Sequence, residues 1–308
     1  MIDQNKKEQL ISAVYGFAVG DAVGVPYEFK SRSEMDALPA TDMIGYGTHY
    51  QPAGTWSDDT SMLLCVLENL LEQGSATGLA DKFLSWYEKA AYTATNEVFD
   101  VGITVATALD RISQGTEPQY AGATDEWSAG NGSLMRSLPY AFQTDLEDAE
   151  DKIYTENTIT HALDICNEAS LFYVAALRYL IDCGNKATLI SAVISLLATH
   201  KTKRQLGFME LKAKTRLFQD NFEELKRSEI RSGGYVAETI EACIWCFLTT
   251  DSYKDAILKA VNLGQDTDTV AALTGGLAGI YYGLNGIPEK WLMELKGKEL
   301  IDRILSNS

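Results

Sequence analysis

Apolar residues recur at helical spacing along almost the whole of this chain, and long alternating runs of β-branched residues are scarce. Apolar positions three and four residues apart lie on one face of a helix, whereas a half-buried strand alternates at every second residue. Only 6 prolines interrupt the 308 residues. The sequence therefore predicts an all-α fold, and we interpret residues 1–308 as a single helical domain. With 46% hydrophobic residues the chain can fill one large core or two modest ones.

The apolar pattern also predicts where the helices lie. Residues 200–234, which are rich in Lys, Arg and Glu, are interpreted as a solvated helical excursion from the same domain, with a split between two domains in this region as the alternative. The predicted helices cover residues 6–24, 59–73, 79–91, 102–113, 158–183, 186–199, 203–228, 235–249, 253–263, a stretch that begins near Thr267, and 289–306.

The longest apolar run, Val270 to Leu284, carries no charge and contains glycines at every fourth position. It is shorter than the ~20 residues that a membrane-spanning helix needs. Gly275, Gly279 and Gly283 would share one helix face and leave it smooth enough for another helix to approach closely. We therefore expect a buried core helix here.

The charge and cysteine content restrict the partners and the compartment. The net charge of −17, with a pI near 4.6, should repel nucleic acids and anionic membranes, so neither is an expected partner. Five cysteines at irregular spacing fit a reducing compartment, and the N-terminus has no apolar segment of the signal-peptide type. We predict a cytoplasmic protein, in which Cys243 and Cys246 contribute to core packing.

Two acidic segments lie far apart in the chain, and each is followed by a helical pattern. They are SDDT at 57–60 and DTDT at 266–269. Either segment alone could be a helix cap, because Ser and Asp favour helix starts. Together they resemble the two halves of a metal site, since carboxylates and hydroxyls are the hard oxygen ligands that Mg²⁺, Mn²⁺ or Ca²⁺ prefer. Adjacent residues on a helix point about 100° apart, so Asp58 and Asp59 could reach two ions.

Other polar residues give weaker signals. Gly130 to Ser133 precede a predicted helix and could present backbone N–H groups to a phosphate or pyrophosphate, with Arg136 as either a charge-assisted contact or a surface salt bridge. Glu28 could orient a water molecule or take its proton. His161 reads as a capping or buried histidine, and His49 has no informative context.

Several enzyme classes lack their motifs in this chain. HExxH of zinc proteases, GxSxG of serine hydrolases and GxxxxGK[ST] of P-loop enzymes are absent. An all-α isoprenoid synthase would need DDxxD, but Met62 occupies the place of the last acid.

Taken together, the acidic and glycine-rich segments resemble the ADP-ribosylglycohydrolase family, which includes the dinitrogenase-reductase-activating and ADP-ribosylarginine hydrolases. The segments follow the family order and span most of the chain. They are GDAVGVPYEF (20–29), GTWSDDTSM (54–62), FDVGIT (99–104), GNGSLMRSLP (130–139), TH (160–161), GGYVAETIEACIWCF (233–247) and NLGQDTDTVAALTGGLAGIYYG (262–283).

The resemblance implies a single compact multi-helix domain with a binuclear Mg²⁺ or Mn²⁺ site. By motif the metal ligands would be Ser57, Asp58, Asp59, Asp266, Asp268 and Thr269. Ser57 stands where many members have threonine, and Ile103 where relatives of the nitrogenase-regulating type more often have a polar residue. Glu28 aligns with the family glutamate near the metals, and either Glu28 or Asp59 would assist proton transfer. The substrate-binding positions would be Asp100, Gly130, Asn131, Gly132, Ser133, Met135, His161 and Tyr235.

The implied activity is metal-dependent hydrolysis that removes ADP-ribose from a modified protein side chain, with arginine as the expected acceptor. Serine-linked and other ADP-ribose conjugates stay open as substrates. A rival hypothesis is an immunity-type protein that binds and blocks an ADP-ribosylating toxin, with or without hydrolase activity. The acidic surface would suit a basic partner of this kind.

Overall fold

The computed structural model describes residues 4–143, 145–199 and 208–308. Within these ranges the regular structure is helical, and the only β pairing consists of two isolated bridges, Ala123 with His161 and Gly130 with Tyr235. The all-α prediction is confirmed. The α-helices are α1 (Gln4–Gly24), α2 (Arg32–Ala37), α3 (Asp58–Leu71), α4 (Ala76–Lys89), α5 (Ile103–Ser113), α6 (Leu146–Asn157), α7 (Asp164–Cys183), α8 (Leu189–Thr199), α9 (Met209–Lys214), α10 (Val236–Leu248), α11 (Tyr253–Val261), α12 (Thr267–Tyr282), α13 (Glu289–Glu294) and α14 (Lys298–Leu305).

Two of the predicted helices differ from the observed ones in their bounds. The predicted helix 158–183 begins only at Asp164, because residues 158–161 run beside another loop, where Thr158 and Thr160 accept backbone hydrogen bonds from Gly122 and Ala123. The predicted helix 289–306 is two helices, α13 and α14, separated by Gly297 in a left-handed conformation. Helices α2 and α6 have no counterpart among the predicted helices.

For the described part of residues 200–234, the prediction of a solvated segment is confirmed by its many exposed side chains, but the prediction of a long helix is wrong. Residues 200–207 lie outside the described ranges, and they include the first five residues of the predicted helix 203–228. From 208 onward the segment contains only the short α9 and two 3₁₀ turns. Leu211, Leu217 and Phe222 are buried, and the spacing of six and five residues does not keep them on one helix face. A continuous helix could not bury all three side chains, so the backbone is irregular here.

The prediction of close helix packing at the glycine run is confirmed. Helix α12 lies against α1, and a Cβ atom at Gly16 would be only 2.4 Å from the carbonyl oxygen of Gly275. A Cβ atom at Gly279 would be 2.3 Å from the carbonyl oxygen of Ser12. Gly283 does not belong to this contact, since it ends α12 with φ +71° and faces open space.

Helix α1 is the one described segment whose length and apolar composition would allow it to cross a membrane. This stretch covers Asn5–Tyr27, and 94% of its apolar window is buried inside the protein. It is a core helix, and its burial against α12 is made possible by the small residues on both partners. The same contact brings the C-terminal end of α1 to the start of α12, where a Cβ atom at Gly24 would be 2.4 Å from Cα of Asp268.

Candidate metal centre and substrate cleft

The acidic site forms where the N-terminal ends of α3 and α12 meet the C-terminal end of α1. Ser57 caps α3 by accepting a hydrogen bond from the Asp59 backbone N–H, and Asp58 and Asp59 occupy the first helical turn. Asp268 lies in the first turn of α12. The two acidic segments predicted from sequence are therefore brought together by the tertiary fold, at helix ends that favour negative charge.

Asp21, which lies in the family segment 20–29 but is not among the predicted site residues, connects α1 to the start of α3. Its carboxylate accepts hydrogen bonds from the backbone N–H groups of Ser57 (2.9 Å) and Thr60 (3.1 Å), and from the Thr60 hydroxyl (2.6 Å). Burial raises the pKa of Asp21 to about 6, although the hydrogen bond from Thr60 opposes the shift. The available signal is an ionisable residue inside an otherwise apolar helix, which burial makes costly unless it has partners.

Two groups of three carboxylates form the core of the site. The ligand oxygens of Asp21, Asp59 and Asp268 lie within 4.8 Å of one another, and so do those of Glu28, Asp266 and Asp268. Asp268 belongs to both groups. Oδ1 of Asp59 and Oδ2 of Asp268 are buried, and no hydrogen-bond donor within the described ranges reaches either atom. Such acceptors cost about 1–3 kcal/mol each when they are left unpaired, and a bound cation would satisfy them. The donor set fits a hard divalent cation.

The electrostatics of these carboxylates support the same conclusion. Burial is the main reason why the pKa values of Asp58, Asp59 and Asp268 lie well above their usual range. Repulsion from neighbouring carboxylates adds to the shift, from Asp100 for Asp58 and from Glu28 for Asp268. A positive charge placed between them would restore the ionised form.

A cleft of about 360 Å³ opens beside this acidic cluster. Its lining includes ten of the predicted site residues: Glu28, Asp58, Asp100, Gly130, Asn131, Gly132, Met135, His161, Asp266 and Thr269. The other predicted residues, Ser57, Asp59, Ser133, Tyr235 and Asp268, are not part of this lining in the described chain. Ser57, Asp59 and Asp268 are buried among the acidic groups, and the substrate contacts of Ser133 and Tyr235 stay predictions.

The glycine-rich loop connects the cleft to the acidic cluster. Asn131 donates its backbone N–H to the Gly234 carbonyl (3.0 Å) and its side-chain amide to Oδ2 of Asp266 (2.8 Å). Tyr235 pairs with Gly130 through its backbone. The predicted helix start after this loop is wrong, because residues Asn131–Ser133 form one 3₁₀ turn and no α-helix follows directly. The loop therefore offers backbone groups without the dipole of a long helix.

Arg136 matches neither of the roles that the sequence suggests for it. It is completely buried, donates a hydrogen bond to the Glu156 carbonyl (3.2 Å) and lies 4.8 Å from the centre of the Phe83 ring. It is thus no surface salt bridge, and it does not line the cleft. Its positive charge acts from behind the cleft wall and influences the imidazole of His161.

His161 is a buried cleft residue that stays uncharged. Burial, assisted by the positive charge of Arg136, lowers the pKa of its imidazole to about 3. Nδ1 of the ring lies 2.9 Å from the Thr160 hydroxyl. A Cβ atom at Gly132 would be 2.8 Å from Cε1 of this ring, so glycine is needed for the loop to approach it. The prediction of a buried histidine is confirmed by this placement.

His49, for which the sequence offers no context, is also part of the site. Its Nε2 is hydrogen-bonded to Oε2 of Glu28 and lies 3.9 Å from Oδ1 of Asp100. The imidazole packs against Phe29 and Phe99, with ring centres 5.9 and 5.2 Å away. No local motif could have found this residue, because it lies in the irregular stretch before α3 and reaches the cleft only through the tertiary fold.

The comparison with known proteins agrees with this geometry. The family described as ADP-ribosylglycohydrolase matches residues 3–307. The chain is 33% identical over 297 residues to "ADP-ribosylarginine hydrolase Tri1" of Serratia proteamaculans, covering 95% of this chain and 76% of that protein. It is 28% identical over 298 residues to "ADP-ribosyl-[dinitrogen reductase] glycohydrolase" of Rhodospirillum rubrum, covering 94% and 91%. A solved structure titled "ADP-ribosylglycohydrolase-related protein complex" superimposes with a TM-score of 0.77 at 30% identity, covering 99% and 98% of the two chains.

Proposed function

The chain belongs to the ADP-ribosylglycohydrolase family and is a hydrolase of ADP-ribose conjugates; from this premise we propose that it cleaves the bond between ADP-ribose and an arginine side chain of a modified protein. Two relatives, at 33% and 31% identity, carry the name ADP-ribosylarginine hydrolase. The observation that carries the proposal is the contact between the glycine-rich loop and the acidic cluster, made by Asn131 and Asp266.

The donor set supports two divalent cations, Mg²⁺ or Mn²⁺, as the cofactor. The ligands would be Ser57, Asp58, Asp59, Asp266, Asp268 and Thr269. Carboxylate oxygens of Glu28 and Asp21 lie within 4.8 Å of an oxygen of Asp268. When bound, the cations would supply the positive charge that polarises the ribose and a water molecule.

The residues of the cleft have distinct tasks in this proposal. The loop binds the ADP-ribose through the backbone N–H groups of Gly130 and Gly132, because that of Asn131 donates to the Gly234 carbonyl, and the neutral His161 ring forms a wall without adding charge. Glycoside cleavage passes through a state in which positive charge develops on the ribose ring, and carboxylates beside the ring stabilise that charge. Asp100 and Asp266 line the cleft at the place where they can do so.

The structure favours Glu28 over Asp59 as the group that transfers a proton. Glu28 lines the cleft, whereas Asp59 is 1% exposed and faces the buried acidic group. A general base has to lie within hydrogen-bonding distance of the water that it activates. We therefore assign proton transfer to the Glu28 carboxylate and metal binding to Asp59.

The decisive experiment measures ADP-ribose release from an arginine-ADP-ribosylated protein and from a serine-linked one. The reactions contain EDTA, Mg²⁺ or Mn²⁺. We expect metal-dependent release from the arginine linkage, and a loss of at least about two orders of magnitude in kcat for Asp268→Ala, on the order of the contribution of metal catalysis. Asp81→Ala, on the exposed face of α4, is the matched control and should behave like the wild type. Equal activity of Asp268→Ala and the wild type would refute the proposal.

The toxin-binding role stays a separate hypothesis with its own test. In cells that produce an ADP-ribosylating toxin, a variant that lacks Asp59 and Asp268 cannot protect by hydrolysis. Protection by this variant, together with complex formation in solution, would show a binding role that is independent of catalysis. A loss of protection would leave hydrolysis as the protective activity. We propose that either activity takes place in the cytoplasm.

A further inference from the structure

The roles proposed above for the site residues do not include His49, which is hydrogen-bonded to Glu28. Nε2 of His49 is hydrogen-bonded to Oε2 of Glu28, and 3.9 Å separates it from Oδ1 of Asp100. The side chains of His49, Glu28 and Asp100 are 14%, 6% and 18% exposed. The imidazole is therefore a partly enclosed neighbour of two carboxylates that both line the cleft.

The loop that carries His49 is docked onto the backbone that carries Glu28. Thr48 donates its backbone N–H to the Pro26 carbonyl (3.1 Å) and its hydroxyl to the Glu28 carbonyl (2.7 Å). A Cβ atom at Gly47 would lie 1.9 Å from the Pro26 carbonyl oxygen, so only glycine permits this approach. The position of the imidazole is thus determined by backbone contacts on both sides of the hydrogen bond.

The backbone around the three residues is held in an uncommon conformation. Phe29, which follows Glu28, has φ +65°, Tyr50, which follows His49, has φ +54°, and Asp100 itself has φ +56°. Left-handed conformations are uncommon and unfavourable for residues other than glycine. They persist where the surrounding structure imposes them, and they concentrate at functional sites. Three of them around one hydrogen-bonded group indicate that its geometry is maintained at a cost in stability.

We propose that His49 is a positioning residue for the reaction, which acts by fixing the Glu28 carboxylate toward the cleft. A glutamate side chain has three rotatable bonds, and a hydrogen bond to one carboxylate oxygen restricts them. The rings of Phe29 and Phe99 also contact the imidazole. This inference rests on the proposed hydrolase function and on the assignment of proton transfer to Glu28.

The test separates the hydrogen bond from the packing of the ring. His49→Phe keeps an aromatic ring beside Phe29 and Phe99 but cannot hydrogen-bond. His49→Gln places an amide near the position of Nε2, where it can donate or accept, and His49→Asn is too short to reach it. Loss of a supporting hydrogen bond to an active-site ligand typically costs about 10–100-fold in activity. We expect His49→Phe and His49→Asn to lower kcat by about 10–100-fold with little change in KM, and His49→Gln to recover kcat to within several-fold of the wild type.

A double-mutant cycle with Glu28→Gln shows whether His49 acts through Glu28. If it does, His49→Phe should cause little additional loss in the Glu28→Gln background, because coupled residues are not additive. Equal losses in both backgrounds, a change in KM alone, or equal activity of the Gln and Asn variants would overturn the proposal. If His49→Phe does not fold, the difference in kcat between His49→Gln and His49→Asn tests the role of the hydrogen bond.

Failure of the proposed function looks different from failure of this inference. A wild-type protein that releases nothing from the arginine-linked substrate contradicts the arginine assignment. The His49 variants are then compared on the ADP-ribose conjugate that the wild type does hydrolyse, for which the same ranking of variants is expected.

Discussion

Replacing Gly20 with alanine tests the close contact between α1 and α12, on which the acidic site depends. A Cβ atom at this position would lie 2.2 Å from the carbonyl oxygen of Ala271 and 3.1 Å from Cα of Ala272. These are backbone atoms of a helix, so no side-chain rotation can relieve the overlap, and the two helices have to separate.

The magnitude follows from two opposing effects. Overpacking of a core costs typically about 1–3 kcal/mol, and contact with rigid backbone places Gly20→Ala near the upper end, about 3 kcal/mol. Alanine is favoured over glycine in a helix interior by about 1 kcal/mol. The free energy of unfolding should therefore fall by about 2 kcal/mol.

Gly78 in α4 provides the matched control, because the same substitution should have the opposite sign there. The nearest atoms to a Cβ at Gly78 are side-chain atoms of Asn69 and Ser75, at 3.4 and 3.7 Å, which are ordinary contacts. Gly78→Ala should raise the free energy of unfolding by up to about 1 kcal/mol, because alanine has the higher helix propensity.

Urea unfolding followed by far-UV circular dichroism, in EDTA, measures both variants. Divalent-metal titration of the folded Gly20→Ala protein should also show weaker binding, since Asp21 follows Gly20 directly and its ligand oxygens lie within 4.8 Å of those of Asp268. Equal stability of Gly20→Ala and the wild type, or equal destabilisation by both substitutions, would refute this account of the helix contact.

Three further predictions concern the site. Asn131→Ala removes the amide that orients Asp266 (2.8 Å), so divalent-metal affinity measured by calorimetry should fall about 10–100-fold, and an unchanged Kd would contradict this role. Asp21→Asn leaves a buried N–H or O–H donor at the start of α3 without its acceptor. We expect the free energy of unfolding, measured with urea, to fall by about 1–3 kcal/mol, and a variant as stable as the wild type would disprove this role. The third prediction is a pH dependence of the metal-free protein. The pKa of Asp21 is raised from 3.8 to about 6 by burial, so the folded state binds more protons between these values, and the contribution of Asp21 to stability is lost as the pH rises from about 4 to 6. Asp21→Asn should show a smaller decline over that interval, and an equal decline would exclude Asp21 as its source.

The features that can be predicted from sequence are those that depend on neighbours along the chain. The helical periodicity predicts most of the helices, and it places the start of α12 correctly at Thr267. Asp58 and Asp59 can be recognised because both acids belong to one helix start that Ser57 caps. The close approach of another helix to α12 can also be expected, since Gly275 and Gly279 lie on one face at helical spacing, although the sequence does not identify α1 as that helix.

The features that escape prediction depend on distant parts of the chain. Asp21 lies in a family segment that gives it no role, and His49 lies in no motif. Each becomes informative only when another segment supplies its partner, Thr60 for Asp21 and Glu28 for His49. The prediction for Arg136 is wrong for a similar reason, because its polarity suggests the surface whereas the core supplies Glu156 and Phe83 as its partners.

The sequence by itself determined the helical class, the family and the chemical type of the site, because periodicity, capping residues and hard oxygen ligands are properties of short segments. Only the tertiary structure decided which carboxylates lie within a few ångströms of one another, which of them line the cleft, and that a histidine is hydrogen-bonded to Glu28. The physical reason is that ligand sharing and proton transfer depend on separations of a few ångströms, such as the 4.8 Å within the acidic groups. Those separations are produced by the packing of α1 on α12 and the docking of the loop that carries His49.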